Sequence, residues 1–145
     1  MKQKQELYEK SCGAVIFKVE DGKCLYLLEK MKKGHYSFPK GHVEKKETED
    51  MTALREIKEE VGIDVWLDLR YRFVITYYVK SNVKKDNVYF VGRYLNGEVT
   101  CQESEVEFAN WYEEDEVIKL LSPKLTSEQT QEYKKAFEFI KTNYI

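Results

Sequence analysis

The chain has 145 residues, 34% of them charged and 42% hydrophobic, which is the length and balance of a single folded domain spanning 1–145. Its 24 Lys and Arg nearly cancel 26 Asp and Glu, and the net charge of -2 excludes a general nucleic-acid or membrane surface, so any charge-driven chemistry has to be local. Cys12, Cys24 and Cys101 form no Cys-x-x-Cys pair, which argues against a disulfide framework and a structural zinc site, and no apolar run nears the ~18 to 20 residues of a membrane span, so a soluble, cytoplasmic protein is expected.

"CGAVIFKV" and "KCLYLLEK" are rich in β-branched and apolar residues, and the Asp21-Gly22 between them predicts an antiparallel hairpin. In "MKKGHYSFPKG" Gly34, Pro39 and Gly41 break any regular pattern, predicting a basic loop that carries His35 and Lys40. Thr48 suits a helix cap, Glu49 and Asp50 suit the positive end of a helix dipole, and Gly62 suits the position past the end, so a helix is expected from about Glu49 to Val61. Leu54, Ile57 and Val61 are expected to face the core, leaving an acidic face outward. Val65 to Val79 and "NVYFVGRYL" predict a second hairpin around "KSNVKKDN", and "VEFANWY" predicts a further strand. Tyr133, Ala136, Phe137 and Ile140 recur at helical spacing and predict a closing amphipathic helix. The pattern reads as mixed α/β with a sheet covered on both faces.

The helical stretch sets Glu56, Glu59 and Glu60 on one face, since positions i, i+3 and i+4 coincide there. Two like charges at ~4 Å repel by about 1 kcal/mol in water and about 4 at an effective dielectric of ~20, so the cluster calls for open solvent or a cation. A charge run alone is usually a solvated face. Here the preceding loop supplies backbone carbonyls and Lys40, Glu47 stands where it pairs with Arg55, and hard carboxylate oxygens suit magnesium (Mg2+) or manganese (Mn2+).

Gly41, Glu47, Arg55-Glu56-Ile57, Glu59-Glu60 and Gly62-Ile63, with five, seven, one and one residues between them, resemble the Nudix box at every fixed position. The resemblance implies a Nudix-type three-layer α/β/α sandwich with a mixed central sheet, and hydrolysis of a nucleoside diphosphate linked to another group with divalent cations. It makes Glu56, Glu59 and Glu60 metal ligands, one of them a candidate general base, with the Gly41 carbonyl a further ligand and Arg55 and Glu47 a supporting pair that orients the carboxylates. "HYSFPKGHVE" together with Glu105 ahead of Trp111 is similar to the family's asymmetrical diadenosine tetraphosphate hydrolases, although Tyr36 stands where a tryptophan is common. That similarity implies cleavage to ATP and AMP, Lys40 as a phosphate contact and Glu105 as an extra metal ligand or base.

His35 is a candidate phosphate donor, and Lys80, Lys84 and Lys85 form a basic hairpin loop of the kind that is usually solvated. Tyr71, Tyr77, Tyr78 and Tyr89 offer ring faces to a base, Tyr77 and Tyr89 being the candidate binding residues, though strand aromatics more often face a core. The expected partner is a small-molecule nucleotide, without a membrane or a stable nucleic-acid partner, and oligomeric state has no signal in the sequence. The alternatives are a pyrophosphohydrolase of nucleoside triphosphates or capped RNA, and a non-catalytic nucleotide-sensing domain. The complete set of Glu56, Glu59 and Glu60 argues against the sensor.

Overall fold

The computed structural model describes residues 7–79, 82–101 and 104–145, so Lys80 lies outside the described residues. β1 (Leu7–Glu20) and β2 (Lys23–Met31) form the first hairpin. Its two turn residues both take positive φ, 52° at Asp21 and 77° at Gly22, which is the backbone sense that follows strand twist. β5 (Asp64–Val79) and β6 (Val83–Asn96) form the second hairpin, but the expected basic loop is corrected: Lys84 and Lys85 lie within β6, paired with Tyr78 and Tyr77 of β5 and with Tyr8 and Glu9 of β1, because the polar stretch is taken up between two neighbouring strands. The two hairpins join through β1 and β6, which run parallel from the Leu7–Val83 pair to the Phe17–Arg93 pair and make the sheet mixed.

β1 and β2 stay paired only near their turn. Beyond it they part, and the segment predicted as a loop fills the gap: β3 (Tyr36–Ser37) pairs with β2, and β4 (Lys40–His42) pairs with β1. Phe38, between them, is fully buried against Tyr89, Tyr133 and Phe137. β7 (Val106–Tyr112) covers the other edge of β2.

One face of the sheet packs against α1 (Glu49–Val61), through Ala14, Ile16, Leu27, Ile57 and Val61. The other packs against α2 (Glu114–Leu121) and α3 (Ser127–Tyr144), giving three layers. Tyr133, Ala136, Phe137 and Ile140 are all buried as the spacing predicts, and a reciprocal Thr126–Gln129 capping box starts α3. α2 was not expected from the sequence, yet its acidic first turn and buried Val117 and Leu121 are helix signals. The expectation for α1 is corrected in one respect. Leu54 is 42% exposed and Ala53 is buried in its place, while Glu60 is only 8% exposed, so the buried stripe is rotated toward the glutamates and the acidic face is not wholly outward. The rotation lets Glu60 reach β4, described below.

The end of α3 is tied to β5 by Tyr144, whose hydroxyl donates to Asp68 Oδ2 at 2.7 Å, and Arg70 Nη2 donates to the same oxygen at 2.7 Å. Arg70 chiefly, with Tyr144, holds the buried Asp68 carboxyl down at about 2. A depressed carboxylate stabilises the fold above its unfolded value of about 3.9 and loses that contribution as pH falls toward the folded value. Tyr144→Phe is therefore expected to lower stability by about 1 kcal/mol at pH 7. Asp68→Asn should cost more at pH 7 than at pH 3, measured by urea unfolding, and an equal cost at both pH values would contradict the linkage.

Candidate active site

Thr48 starts α1 by accepting the Met51 N–H, and Gly62 ends it at φ 75° with its N–H on the Lys58 carbonyl. The turn before the helix brings Glu47 to Arg55, whose Nε donates to Oε2 at 2.6 Å and whose Nη2 donates to Oε1 at 2.9 Å. This is a two-pronged ion pair. Glu47 also accepts from the Glu44 N–H and the Thr52 hydroxyl, each at 2.9 Å. Arg55 first, and these donors after it, hold the Glu47 carboxyl down at about 2.

The rest of the guanidinium orders the helix acids. Nη1 donates to Glu56 Oε1 at 2.7 Å and to Glu59 Oε2 at 3.1 Å, and Nη2 reaches the His42 carbonyl at 3.0 Å. One arginine thus fastens α1 both to its own carboxylates and to β4. Gly41 pairs with Cys12 on the α1 face of the sheet, and a Cβ there would lie 2.0 Å from Glu56 Oε2, so any larger residue would displace the Glu56 carboxylate from the backbone.

Glu60 has different surroundings. It accepts the Lys40 N–H at 3.1 Å, and burial pushes its carboxyl up to about 7. The charge of Glu56 acts in the same sense, whereas a hydrogen bond with Glu29 and the Lys40 N–H and charge pull the other way. Among the described residues no three Asp, Glu, His or Cys groups converge on one point, and Glu56 and Glu59 are both bonded to Arg55.

Lys40 belongs to the opposite pleat from Gly41, since it pairs with Gly13, on the face of Val15 and Phe17 that meets α3. Its charge still reaches both Glu60 and His35. Partial burial, then the charges of Lys40, Lys124 and Lys33, lower the His35 pKa from its ordinary value. In register on this same face stand Tyr77, Lys85 and Glu9, with Lys85 Nζ 5.9 Å from the Tyr77 ring centre and 3.4 Å from Glu9.

Tyr77 is half-buried and keeps part of its surface free. Tyr89 is corrected: it is 1% exposed and packed against Phe38, Phe73 and Tyr133, so its ring has no face left for a base. Glu105 is exposed in the turn before β7, where its carbonyl accepts the Lys32 N–H at 2.8 Å and fastens that turn to the end of β2. The structure therefore gathers Gly41, Glu47, Arg55, Glu56, Glu59 and Glu60 on the α1 side, sets Lys40 and Tyr77 on the opposite face of the sheet with His35 in reach of the Lys40 charge, and leaves Glu105 in an exposed turn.

Sequence reasoning missed Glu29, which is 1% exposed and close enough for its carboxyl to bear on that of Glu60. The signal was present in "CLYLLEK", where Glu29 falls in phase with the inward-facing Leu27.

Residues 8–136 match the NUDIX domain family. The chain is 43% identical over 63 residues to the asymmetrical bis(5'-nucleosyl)-tetraphosphatase of Sus scrofa, covering 38% of this chain and 43% of that protein. It is 37% identical over 90 residues to the NAD-capped RNA hydrolase NudC of Haemophilus influenzae, covering 62% and 33% respectively. The matches span less than half the length of these relatives. Among solved structures, a C. elegans Ap4A hydrolase binary complex superposes with a TM-score of 0.82 at 26% identity, covering 92% of this chain and 98% of that one. The NUDIX domain of Shewanella oneidensis NrtR complexed with ADP ribose shares the fold, with a TM-score of 0.72 at 17% identity over 95% of this chain and 90% of that one. With the family match running through the glycine, arginine and glutamates just described, the chain belongs to the NUDIX domain family.

Proposed function

We propose that the chain is a divalent-cation-dependent hydrolase of phosphoanhydride bonds whose preferred substrate is diadenosine tetraphosphate, cleaved to ATP and AMP. The observation that carries this reading is the two-sidedness of β4: Gly41 meets Glu56 on one face, and Lys40, whose charge reaches His35, stands with Tyr77 and Lys85 on the other. A long polyanion laid across this strand meets the acids at one end and basic and aromatic groups at the other. The likeness to the C. elegans Ap4A hydrolase over 92% of the chain supports the same choice.

The residues fit a divalent cation. The donors on offer are hard oxygens: the buried Glu60 feels the charge of Glu56, and the Gly41 backbone lies against the Glu56 carboxylate. Glu56, Glu60 and the Gly41 carbonyl would hold the ion, with Glu59 from the exposed side and Glu105 from the turn before β7. Bound there, Mg2+ or Mn2+ would reverse the local field, polarise phosphoryl oxygens and acidify a water. The chain's own part is orientation: Arg55, anchored on Glu47 and the His42 carbonyl, sets the direction of Glu56 and Glu59. Lys40 supplies fixed positive charge for the phosphates, and Tyr77 a ring face for an adenine.

A second reading, pyrophosphohydrolysis of NAD-capped RNA, is favoured by the 37% identity to NudC. Products separate the two.

Glu56→Gln and Glu60→Gln are each expected to keep the fold and lower turnover by about two to three orders of magnitude. Near wild-type rates at saturating Mg2+ in either folded variant would remove the cation platform from the argument.

Lys40→Ala should raise KM more than Lys84→Ala, because the Lys40 charge acts on Glu60 beside Gly41, whereas Lys84 lies over the exposed Tyr8 ring near the start of β1. Steady-state kinetics showing equal effects would mean Lys40 does not contact the polyphosphate.

Incubation with diadenosine tetraphosphate in Mg2+ should release ATP and AMP in equal amounts, resolved by chromatography. Formation of ADP alone, or faster cleavage of NAD-capped RNA, would reassign the substrate within the family.

A further inference from the structure

On the face of the sheet that meets α3, residues stand in rungs across the strands. Phe73, Tyr89, Gly13 and Lys40 share one rung, Ile75, Asn87, Ser11 and His42 the next, and Tyr77, Lys85 and Glu9 the outermost. Phe73, Ile75 and Tyr89 belong to the aromatic and aliphatic core. Asn87 and Ser11 interrupt it, side by side on β6 and β1 and only 6% and 5% exposed. Burying an amide or a hydroxyl is costly unless it is hydrogen-bonded. Among the described residues the Ser11 hydroxyl has no partner, and the Asn87 side chain has one, the Tyr77 hydroxyl, to which Nδ2 donates at 3.4 Å. That bond is long, and it leaves the Asn87 carbonyl oxygen and one amide hydrogen unused. Neither free oxygen is sealed from solvent.

The same bond fixes where the pair lies relative to the candidate base platform. Tyr77 rises from the outermost rung and its hydroxyl ends at Asn87 on the rung behind, so a base stacked on the ring brings an edge toward the polar pair. The chemistry of the pair suits a base better than a phosphate. Lysines such as Lys85, 5.9 Å from the Tyr77 ring centre, serve anions, whereas an amide sets a donor beside an acceptor and a hydroxyl is both. An asparagine amide matches the N6 and N7 groups of adenine in particular. We propose that Asn87, with Ser11 beside it, reads the base held at Tyr77 and selects adenine over guanine. The inference rests on the reading of Tyr77 as the ring that carries a base. β6 is hydrogen-bonded to β5 on one side and β1 on the other, so the amide is presented from a rigid element.

The test compares kcat/KM for diadenosine and diguanosine tetraphosphate in Mg2+. Wild-type protein should prefer the adenine substrate by about tenfold or more, within the range of a good amide-to-adenine pair. Asn87→Asp has the same size and only accepts, which suits the N1 and N2 hydrogens of guanine, and it should move the ratio toward guanine by about tenfold or more. Ser11→Ala should move the ratio in the same direction by a smaller factor. A wild-type enzyme without base preference overturns the inference. So does a ratio unmoved in Asn87→Asp, including a fall in both rates by one factor, which marks a packing role. Should Asn87→Asp fail to fold, Asn87→Ser is read for loss of the preference. Wild-type protein that cleaves neither dinucleotide brings down the proposed function alone, and base preference is then read from ATP and GTP binding in EDTA by calorimetry. Equal binding of the two nucleotides, or binding of neither, overturns the inference there.

Discussion

A single guanidinium makes the acidic helix possible. Like charges three and four residues apart destabilise a helix by roughly 0.2–0.5 kcal/mol per pair, and Glu56, Glu59 and Glu60 present two such spacings together with an adjacent pair. Arg55 offsets this by bonding to Glu56 and Glu59 with one nitrogen while its other two nitrogens hold Glu47 and the His42 carbonyl. A lysine has no planar fork and no means of addressing four acceptors in fixed directions. Because one of those acceptors is a β4 carbonyl, the interaction that neutralises the acids also sets the distance between the helix and the strand carrying Gly41.

That strand exists because the first hairpin opens. β1 and β2 are paired near their turn and separate toward the other end, and the Tyr36–His42 segment takes up the hydrogen bonds that each strand would otherwise lack. Phe38 locks the insertion from below by burial among Tyr89, Tyr133 and Phe137. The aromatic core under α3 therefore holds in place the backbone that meets the glutamates on the opposite face. Tyr89 serves this purpose, which is why it has no surface for a ligand.

The two layers differ in what they bury. The α3 side contains interlocking rings and closes with the Tyr144–Asp68 bond. The α1 side contains small aliphatic groups together with the carboxylates of Glu29 and Glu60, groups that oppose stability unless matched by a counter-charge. Concentrating stabilising contacts in one layer and strained charge in the other is the arrangement expected when a site needs acids held away from water.

Much of this was legible in the chain itself, because it depends on short-range periodicity and local chemistry. The Asp21-Gly22 turn, the Thr48 and Gly62 caps, the four buried positions of α3 and the pairing of Glu47 with Arg55 follow from residues close in sequence, where backbone preference and spacing decide the outcome. Tertiary structure alone decided the parallel pairing of β1 with β6, the splitting of β1 from β2, the rotation of α1 that exposes Leu54 and buries Glu60, and the meeting of Glu29 with Glu60 across 31 positions of chain. Each of these depends on which distant surface a segment packs against. A helical or strand pattern says which residues share a face, but the partner that covers that face is chosen by the whole fold.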